Sequence, residues 1–253
     1  MSVNGIERFK EAMKGFEECY VLIGGSACDL LLAQYGERFR ATKDLDIVVL
    51  TDSVNHEFSK ALWAFINAGG YEPWKSKNGS LHFYRFVNPR TPGYPHMIEL
   101  FARHPDFVLF DKDSEIAPLP LDDDISSLSA ILLDDDYYAF LLKGLRVVDG
   151  VSMPDEAHLI VLKMRAHVDL NDRAAAGQHV NSADLKKHRK DALRLLEYVP
   201  NDAVLELSAR MRIDARRFIA TVEDQSFRID QLGLSMSREE AVESLLRLCG
   251  IAS

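Results

Sequence analysis

The sequence has few cysteines and no long apolar run. Its three cysteines, Cys19, Cys28 and Cys249, are odd in number and stand in apolar contexts, which excludes a disulfide framework or a cysteine-based zinc site. We expect buried free thiols in a reducing compartment. No segment approaches the roughly 20 apolar residues of a membrane helix, and the first ten residues lack an apolar signal core. These absences predict a cytoplasmic protein without a membrane partner.

An excess of positive charge is also lacking. The chain carries 30 Lys and Arg against 39 Asp and Glu, a formal net charge of −9, which argues against a surface coated throughout for nucleic acid. A local basic patch is still compatible with that balance. The 253 residues, 47% apolar and 27% charged, are ordinary for a globular protein of one large or two small domains.

The spacing of apolar residues predicts an α/β N-terminal part and a mostly helical C-terminal part. We expect helices over 4–18, 26–36 and 55–68, and strands over 19–23, 45–50, 81–87 and 95–102. Residues 129–133 and 136–142 have the composition of strands. After Pro154 we expect helices over 154–170, 182–198, 202–211, 213–222 and 237–249, with a polar linker near 171–181.

Residues 21–50 carry the most specific pattern in the chain. An apolar run leads into Gly24 and Gly25, a helix follows, and Asp44 and Asp46 then open a β-branched run. Alternate strand residues share a face, so the two carboxylates project together and repel each other unless a cation sits between them. Glycines permit close backbone approach, and the N–H groups that open a helix favour an anion. This combination is typical of phosphoryl or nucleotidyl transfer. The alternative is a glycine helix entry followed by an acidic strand edge.

Gly24-Gly25-Ser26, a helix and then Asp44-Leu45-Asp46 together resemble the signature of the DNA polymerase beta-type nucleotidyltransferase superfamily. The form Arg-x-Thr-x-Asp-Leu-Asp over residues 40–46 is similar to the AbiEii-type toxins of abortive-infection and toxin–antitoxin systems. The resemblance implies a nucleotidyltransferase-fold mixed sheet in which Asp44 and Asp46 hold Mg²⁺, as two ions. It also implies that Ser26 and the amides near Gly25 hold the phosphates of an NTP.

Glu99 is the candidate for a third metal-binding carboxylate. Its neighbours Ile98 and Leu100 are expected to face the core, so Glu99 points toward the aspartates if the two strands are adjacent and in register. A glutamate in an apolar strand needs a compensating partner. The alternative is a sheet-edge glutamate that faces water. His96 is expected to lie on the opposite face and to be structural.

Lys163 and Asp191 are the candidates in the helical half. Lys163 interrupts the apolar sequence of 159–162, and His167 follows it by one helical turn. The order of a Lys in one helix and Lys-Asp in the next looks like the downstream motifs of AbiEii-type enzymes. That likeness implies that Lys163 contacts the triphosphate and that Asp191 orders the lysine or the nucleotide. The alternative is a solvated basic helix with a Lys187–Asp191 pair.

Basic residues elsewhere give a weaker pattern. Arg38, Arg40 and Lys43 precede the aspartates, so they could contact phosphates or an acceptor. The basic residues of the helical half could line a groove for RNA, or could simply be solvated; they are the run 186–190 together with Arg210, Arg212, Arg216 and Arg217.

The expectation is therefore a catalytic part over 1–150 and a helical part over 151–253 that completes the nucleotide site. The resemblance implies Mg²⁺-dependent transfer of NMP from an NTP to a hydroxyl of RNA, such as tRNA, or of a protein, with a cognate antitoxin as a further partner. One alternative is a small-molecule nucleotidyltransferase of the antibiotic-modifying type, whose cationic acceptor would meet the acidic clusters 122–124 and 134–136. The other alternative is a noncatalytic nucleotide-binding module.

Overall fold

A mixed five-stranded sheet and a set of packed helices make up the fold. The computed structural model describes residues 4–40, 42–50, 53, 55–75, 81–102 and 134–252. The strands are β1 Tyr20–Ile23, β2 Asp44–Val49, β3 Glu72–Lys75, β4 Leu81–Val87, β5 Met97–Ala102, β6 Leu145–Val148 and β7 Val151–Pro154. The helices are α1 Ile6–Ala12, α2 Gly24–Ala33, α3 His56–Gly69, α4 Asp135–Lys143, α5 Glu156–Ala175, α6 Ser182–Leu196, α7 Ala209–Glu223 and α8 Arg238–Leu248, with a 3₁₀ turn over Ile229–Leu232.

The large sheet has the order β1-β2-β5-β4-β3. Strands β2 and β5 are parallel, whereas the other neighbouring pairs are antiparallel. Leu45 is opposite Ile98 and Ile47 is opposite Leu100, and all four side chains are buried. The alternation of β2 and β5 therefore gives the sheet one apolar face and one face that carries Asp44, Asp46 and Glu99.

Aromatic side chains fill the core beneath the apolar face. The ring of Tyr20 in β1 lies 5.2 Å from Phe9 of α1 and 6.4 Å from Phe58 of α3. The same face is reached by Trp63, whose ring lies 5.7 Å from that of Phe86 in β4. Edge-on and stacked rings of this kind add specific contacts to the apolar burial. Helices α1 and α3 thus cover the apolar face, and the carboxylates are on the other.

The chain divides into two compact units. The sheet unit comprises Met1–Asp124 and Leu145–Met153, and the helical unit comprises Ile125–Gly144 and Pro154–Ser253. In the helical unit, α5 packs against α4, α6 and α7, and α8 packs against α6 and α7. This arrangement confirms the predicted fold class, a mixed α/β N-terminal part followed by a mostly helical part.

Two of the predicted elements in the helical unit are wrong. Residues 136–142 form part of α4 instead of a strand, because the Asp134 side chain accepts hydrogen bonds from the backbone N–H groups of Asp136 and Tyr137 and starts a helix. The predicted helix over 202–211 begins only at Ala209, after the cap Ser208. The backbone N–H of Leu205 is instead bonded to the carbonyl of Leu248. The predicted strand 129–133 lies outside the described residues.

The strand β3 and the hairpin β6–β7 were not predicted. Asp149 and Gly150 both adopt positive φ at the hairpin turn, and Asp-Gly is a strong hairpin signal in a sequence. Helix α1 ends at Ala12, well short of the predicted residue 18, and Gly15 follows with a φ of 86°.

The expectations for the cysteines and for membrane helices can be compared directly with the structure. Cys19, Cys28 and Cys249 are buried free thiols, as predicted, and burial raises the pKa of Cys249 to about 12. Within the described part of the chain, every helix is too short or too polar to cross a bilayer.

Candidate functional site

A row of charged residues crosses the sheet from β2 to β4. Asp46 of β2 is directly opposite Glu99 of β5, and Glu99 is directly opposite Arg85 of β4. Directly opposite residues share a sheet face, and so do residues two apart in a strand. The register therefore confirms the predicted placement of Glu99 beside the Asp44–Asp46 strand. It also adds Arg85, a residue that the sequence pattern did not single out.

Gly24 makes room for the Asp46 carboxylate. Gly24 has a φ of 73°, and a Cβ built on it would collide with Asp46 Oδ2. The aspartate therefore occupies the space that any other side chain at position 24 would need. Gly24 is also the first residue of α2, where the helix dipole favours a negative charge. The two halves of the sequence motif thus meet at one point.

Gly25 likewise makes room for two side chains that lie just before β2. A Cβ built on Gly25 would lie 2.9 Å from Arg40 Nη2 and 3.0 Å from Thr42 Oγ1. Arg40 and Thr42 are the other side chains of the Arg-x-Thr-x-Asp-Leu-Asp pattern. The structure therefore gathers three residues of this pattern, Arg40, Thr42 and Asp46, around the glycine pair that starts α2.

Ser26 ties the start of α2 to the start of β2. Its side chain is fully buried, and its hydroxyl donates a hydrogen bond to the backbone carbonyl of Asp44. Among the described residues, the N-cap position of α2, Ile23, makes no side-chain capping bond, and the first turn carries no acidic residue; the N–H groups at such a helix start favour an anion. The predicted role of Ser26 and Gly25 in phosphate binding stays a prediction, as does that of the exposed Lys43.

Glu99 is in a central strand and is ion-paired. Strand β5 lies between β2 and β4, so the alternative of a sheet-edge glutamate is wrong. Arg85 Nε lies 2.5 Å from Glu99 Oε1, and the two side chains are 25% and 12% exposed. The charge of Glu99 is thus balanced by a guanidinium in this structure.

His96 lies beside Asp44, so the prediction that it lies on the opposite face is wrong; its structural role stays a prediction. His96 Nδ1 is 4.0 Å from Asp44 Oδ1, and the His96 backbone N–H donates to the carbonyl of Lys43 at 2.8 Å. Strand β5 begins at Met97, so the alternation used to place His96 does not extend to it. The imidazole is therefore a further polar group at the edge of the candidate site.

The donor set fits a divalent cation in part. Asp44 and Asp46 are carboxylates on one face of one strand, which are the hard oxygen ligands that Mg²⁺ prefers. Among the described residues, however, no three His, Cys, Asp or Glu side chains are placed to hold an ion together, and Glu99 is bonded to Arg85. The residues fit a cation held by two aspartates. A three-carboxylate, two-ion centre stays a prediction.

In the helical unit, Lys163 and Asp191 form a buried ion pair. Lys163 Nζ donates to Asp191 Oδ2 at 3.0 Å, and the two side chains are 1% and 2% exposed. The sequence left open whether Asp191 orders the lysine or the nucleotide, and in the structure it accepts a hydrogen bond from the lysine. An ammonium with so little exposed surface would meet a phosphate only if the pair opened. Its role toward a triphosphate stays a prediction.

Two buried histidines accompany this pair. His167 Nδ1 is 2.8 Å from the carbonyl of Leu185, while His167 Nε2 and His188 Nδ1 are buried and have no hydrogen-bond partner within the described part of the chain. Burial lowers the pKa of His167 to about 4. Burial, and secondarily the charge of Lys163, hold the pKa of His188 well below its ordinary value. Both rings are therefore neutral at pH 7.

The remaining charged segments are largely engaged within the helical unit. Arg210 is ion-paired with Asp134 at 2.5 Å, and Arg217 with Asp172. Arg189 donates to the carbonyl of Thr221 at 2.8 Å. These contacts give structural roles to parts of the expected basic groove and to the first member of the acidic cluster 134–136. The cluster 122–124 lies outside the described residues.

Family models, curated proteins and solved structures contain no match to this chain. The likeness to nucleotidyltransferases therefore depends on the residues at 24–26 and 40–46 and on the way the structure places them together.

Proposed function

We propose that the chain is a Mg²⁺-dependent nucleotidyltransferase that moves NMP from an NTP to an acceptor hydroxyl. One observation supports this most directly: the Asp46 carboxylate lies against Gly24 at the start of α2. A group that binds cations and backbone N–H groups that bind anions thereby meet. A metal–triphosphate carries both charges, so it complements both halves of this arrangement.

In the sheet unit, the carboxylates and the N–H and guanidinium groups would have different roles. Asp44 and Asp46 would hold the cation, which when bound would offset phosphate charge and favour ionisation of the acceptor hydroxyl. The amides of Gly24, Gly25 and Ser26 would face the phosphates, and the guanidinium of Arg40, close to Gly25, would add a fixed positive charge. These groups act by positioning and by electrostatic stabilisation.

The acceptor that we propose is a hydroxyl of RNA, such as tRNA, or of a protein, with a cognate antitoxin as the natural regulator. The support is the gathering of Arg40, Thr42 and Asp46 around the glycine pair, because these residues carry the likeness to AbiEii-type toxins. A cationic small molecule is a weaker candidate, since Asp134 is ion-paired with Arg210 and caps α4.

The test is transfer of label from each α-³²P NTP, with Mg²⁺, to cellular RNA or to protein in a lysate. We expect Asp44→Asn and Asp46→Asn to abolish transfer and to hold or raise the melting temperature, because each relieves like-charge repulsion. The matched control is Asp149→Asn, at a hairpin turn where the exposed aspartate has a φ of 49°, and asparagine tolerates that conformation. Transfer at the wild-type rate by Asp46→Asn would contradict the proposal.

Glu99→Gln separates catalysis by two carboxylates from catalysis by three. If Glu99 joins the site during the reaction, this change should reduce transfer nearly as far as the aspartate changes, because a neutral amide is a poor ligand for Mg²⁺. Transfer at close to the wild-type rate would leave Asp44 and Asp46 as the metal-binding pair.

A further inference from the structure

The Arg85–Glu99 pair lies in the same row as Asp46, on the face that carries the proposed metal site. Asp46 and Glu99 are register partners on neighbouring strands, and like charges placed directly opposite each other in a sheet repel. Arg85, the register partner of Glu99 on its other side, supplies the compensating positive charge. The guanidinium therefore compensates the negative charge of Glu99, as a bound divalent cation would.

We propose that Arg85 and the divalent cation compete for Glu99, so that Arg85 is a positioning residue that keeps the third carboxylate out of the metal site until the cation is bound. This inference depends on the proposed function. It accounts for two observations together: the register brings Glu99 next to Asp46, and yet the described residues contain no assembled group of three metal ligands.

The surroundings of the pair suit an exchange of partners. The side chains of Arg85 and Glu99 are 25% and 12% exposed, so water reaches them and the pair can separate without burying an uncompensated charge. A carboxylate has two oxygens and prefers the higher charge density of a divalent ion in a site already lined by aspartates. Binding of the cation would then draw Glu99 toward Asp46 and away from Arg85.

Competition and preorganisation predict opposite effects of removing Arg85 on the affinity for the metal. If Arg85 competes with the cation, its removal frees Glu99 to bind the metal, and metal binding becomes stronger through Glu99. If Arg85 instead holds Glu99 in the correct position for the metal, its removal weakens binding. The measurement is the affinity of the full-length protein for Mn²⁺, followed by electron paramagnetic resonance of the free ion in the absence of nucleotide.

We expect Arg85→Gln to bind Mn²⁺ about three- to thirty-fold more tightly than wild type, the range that corresponds to losing one partly exposed charged contact. Arg85→Lys keeps the charge without the guanidinium fork and should fall between the two. The matched control is Arg90→Gln, since Arg90 pairs with Glu72 at 2.7 Å and takes no part in the row. In the double variant Arg85→Gln/Glu99→Gln the gain should disappear.

The outcomes distinguish this inference from the proposed function. Equal or weaker Mn²⁺ binding by folded Arg85→Gln and Arg85→Lys would overturn the competition, while label transfer that depends on Asp46 would leave the function standing. A gain that persists after Glu99→Gln would also overturn it, because the effect would then be one of general charge. Absence of Mn²⁺ binding in wild type and all variants, together with absence of label transfer, would overturn both.

Discussion

The two units each contain an ion pair that joins neighbouring elements, but the two pairs differ in their access to water. Lys163–Asp191 in the helical unit is 1% and 2% exposed, whereas Arg85–Glu99 in the sheet unit is 25% and 12% exposed. A buried pair is costly to break because each charge would be left without solvent. A partly exposed pair can exchange its partner for water or for a ligand.

Because of this difference in solvent access, we assign a structural role to one pair and a ligand-responsive role to the other. The buried pair fixes how α5 and α6 pack, and its neighbours His167 and His188 are buried as well. The partly exposed pair lies beside Asp46 and can respond to a ligand. The sequence patterns gave Lys163 and Glu99 similar standing as site residues, so solvent access is what separates them.

The largest effect is expected from breaking the buried pair. Asp191→Asn removes the carboxylate to which the buried Lys163 ammonium donates, and we expect a loss of about 3–5 kcal/mol in the free energy of unfolding. Denaturant titration measures this loss. The control is Asp172→Asn, which breaks the Arg217–Asp172 pair of 46% and 50% exposure and should cost less than about 1 kcal/mol.

The double variant Lys163→Met/Asp191→Leu sharpens the same comparison. It removes both charges, so it should recover most of the lost stability. If Asp191→Asn costs no more than the control and instead raises the KM for NTP, the pair opens to the nucleotide, and the assignment of a structural role is wrong.

The second effect is a loss of stability in acid that arises in the helical unit. The folded-state pKa of His167 is about 4 against an ordinary value of 6.5, so below pH 6.5 the unfolded chain binds more protons than the folded one. Stability is therefore fully present above pH 6.5 and falls toward pH 4. The difference of about 2.5 pKa units corresponds to about 3 kcal/mol, and His188, shifted in the same direction, adds to the loss.

Melting temperature as a function of pH provides the check. In His167→Asn the amide can replace Nδ1 as the donor to the Leu185 carbonyl, and no titrating ring is left, so the slope between pH 6.5 and 4 should become shallower. An unchanged slope in His167→Asn and in His167→Asn/His188→Asn would mean that other groups cause the acid sensitivity.

The smallest effect is expected in the sheet unit. Arg85→Gln breaks a partly exposed pair and should change the free energy of unfolding by less than about 1 kcal/mol. The same denaturant titration as for Asp191→Asn allows a direct comparison. A loss above about 3 kcal/mol would place the two pairs in the same class and remove the contrast between the units.

Several parts of this molecule could be predicted from local patterns because the physical cause is local. Polar and apolar residues alternate in Asp44-Leu45-Asp46 and in Ile98-Glu99-Leu100. The three carboxylates therefore share a face of the sheet because the two strands are neighbours. The strand predicted from the composition of 136–142 is wrong, because the capping carboxylate of Asp134 outweighs the β preference of tyrosine and phenylalanine. Composition alone ignores such a cap.

The partners of the charged residues could not be predicted, because they depend on which strands and helices meet. Arg85 is fourteen residues from Glu99 and lies next to it only through the antiparallel pairing of β4 and β5. His188 is in a basic run that suggests an exposed face, and its burial follows from the packing of α6 against α5 and α8. The spacing of residues along the sequence predicts neither contact.

The hairpin β6–β7 has a consequence for dissecting the chain. Residues 145–153 belong to the sheet unit, although the residues immediately before and after them belong to the helical unit. The backbone therefore passes from one unit to the other three times, and no single cut yields both units whole. Truncation at residue 150, the boundary suggested by the sequence, would split the hairpin at its Asp149-Gly150 turn. Separate expression of the helical unit would require excising the hairpin and rejoining Gly144 to Pro154 through a new loop.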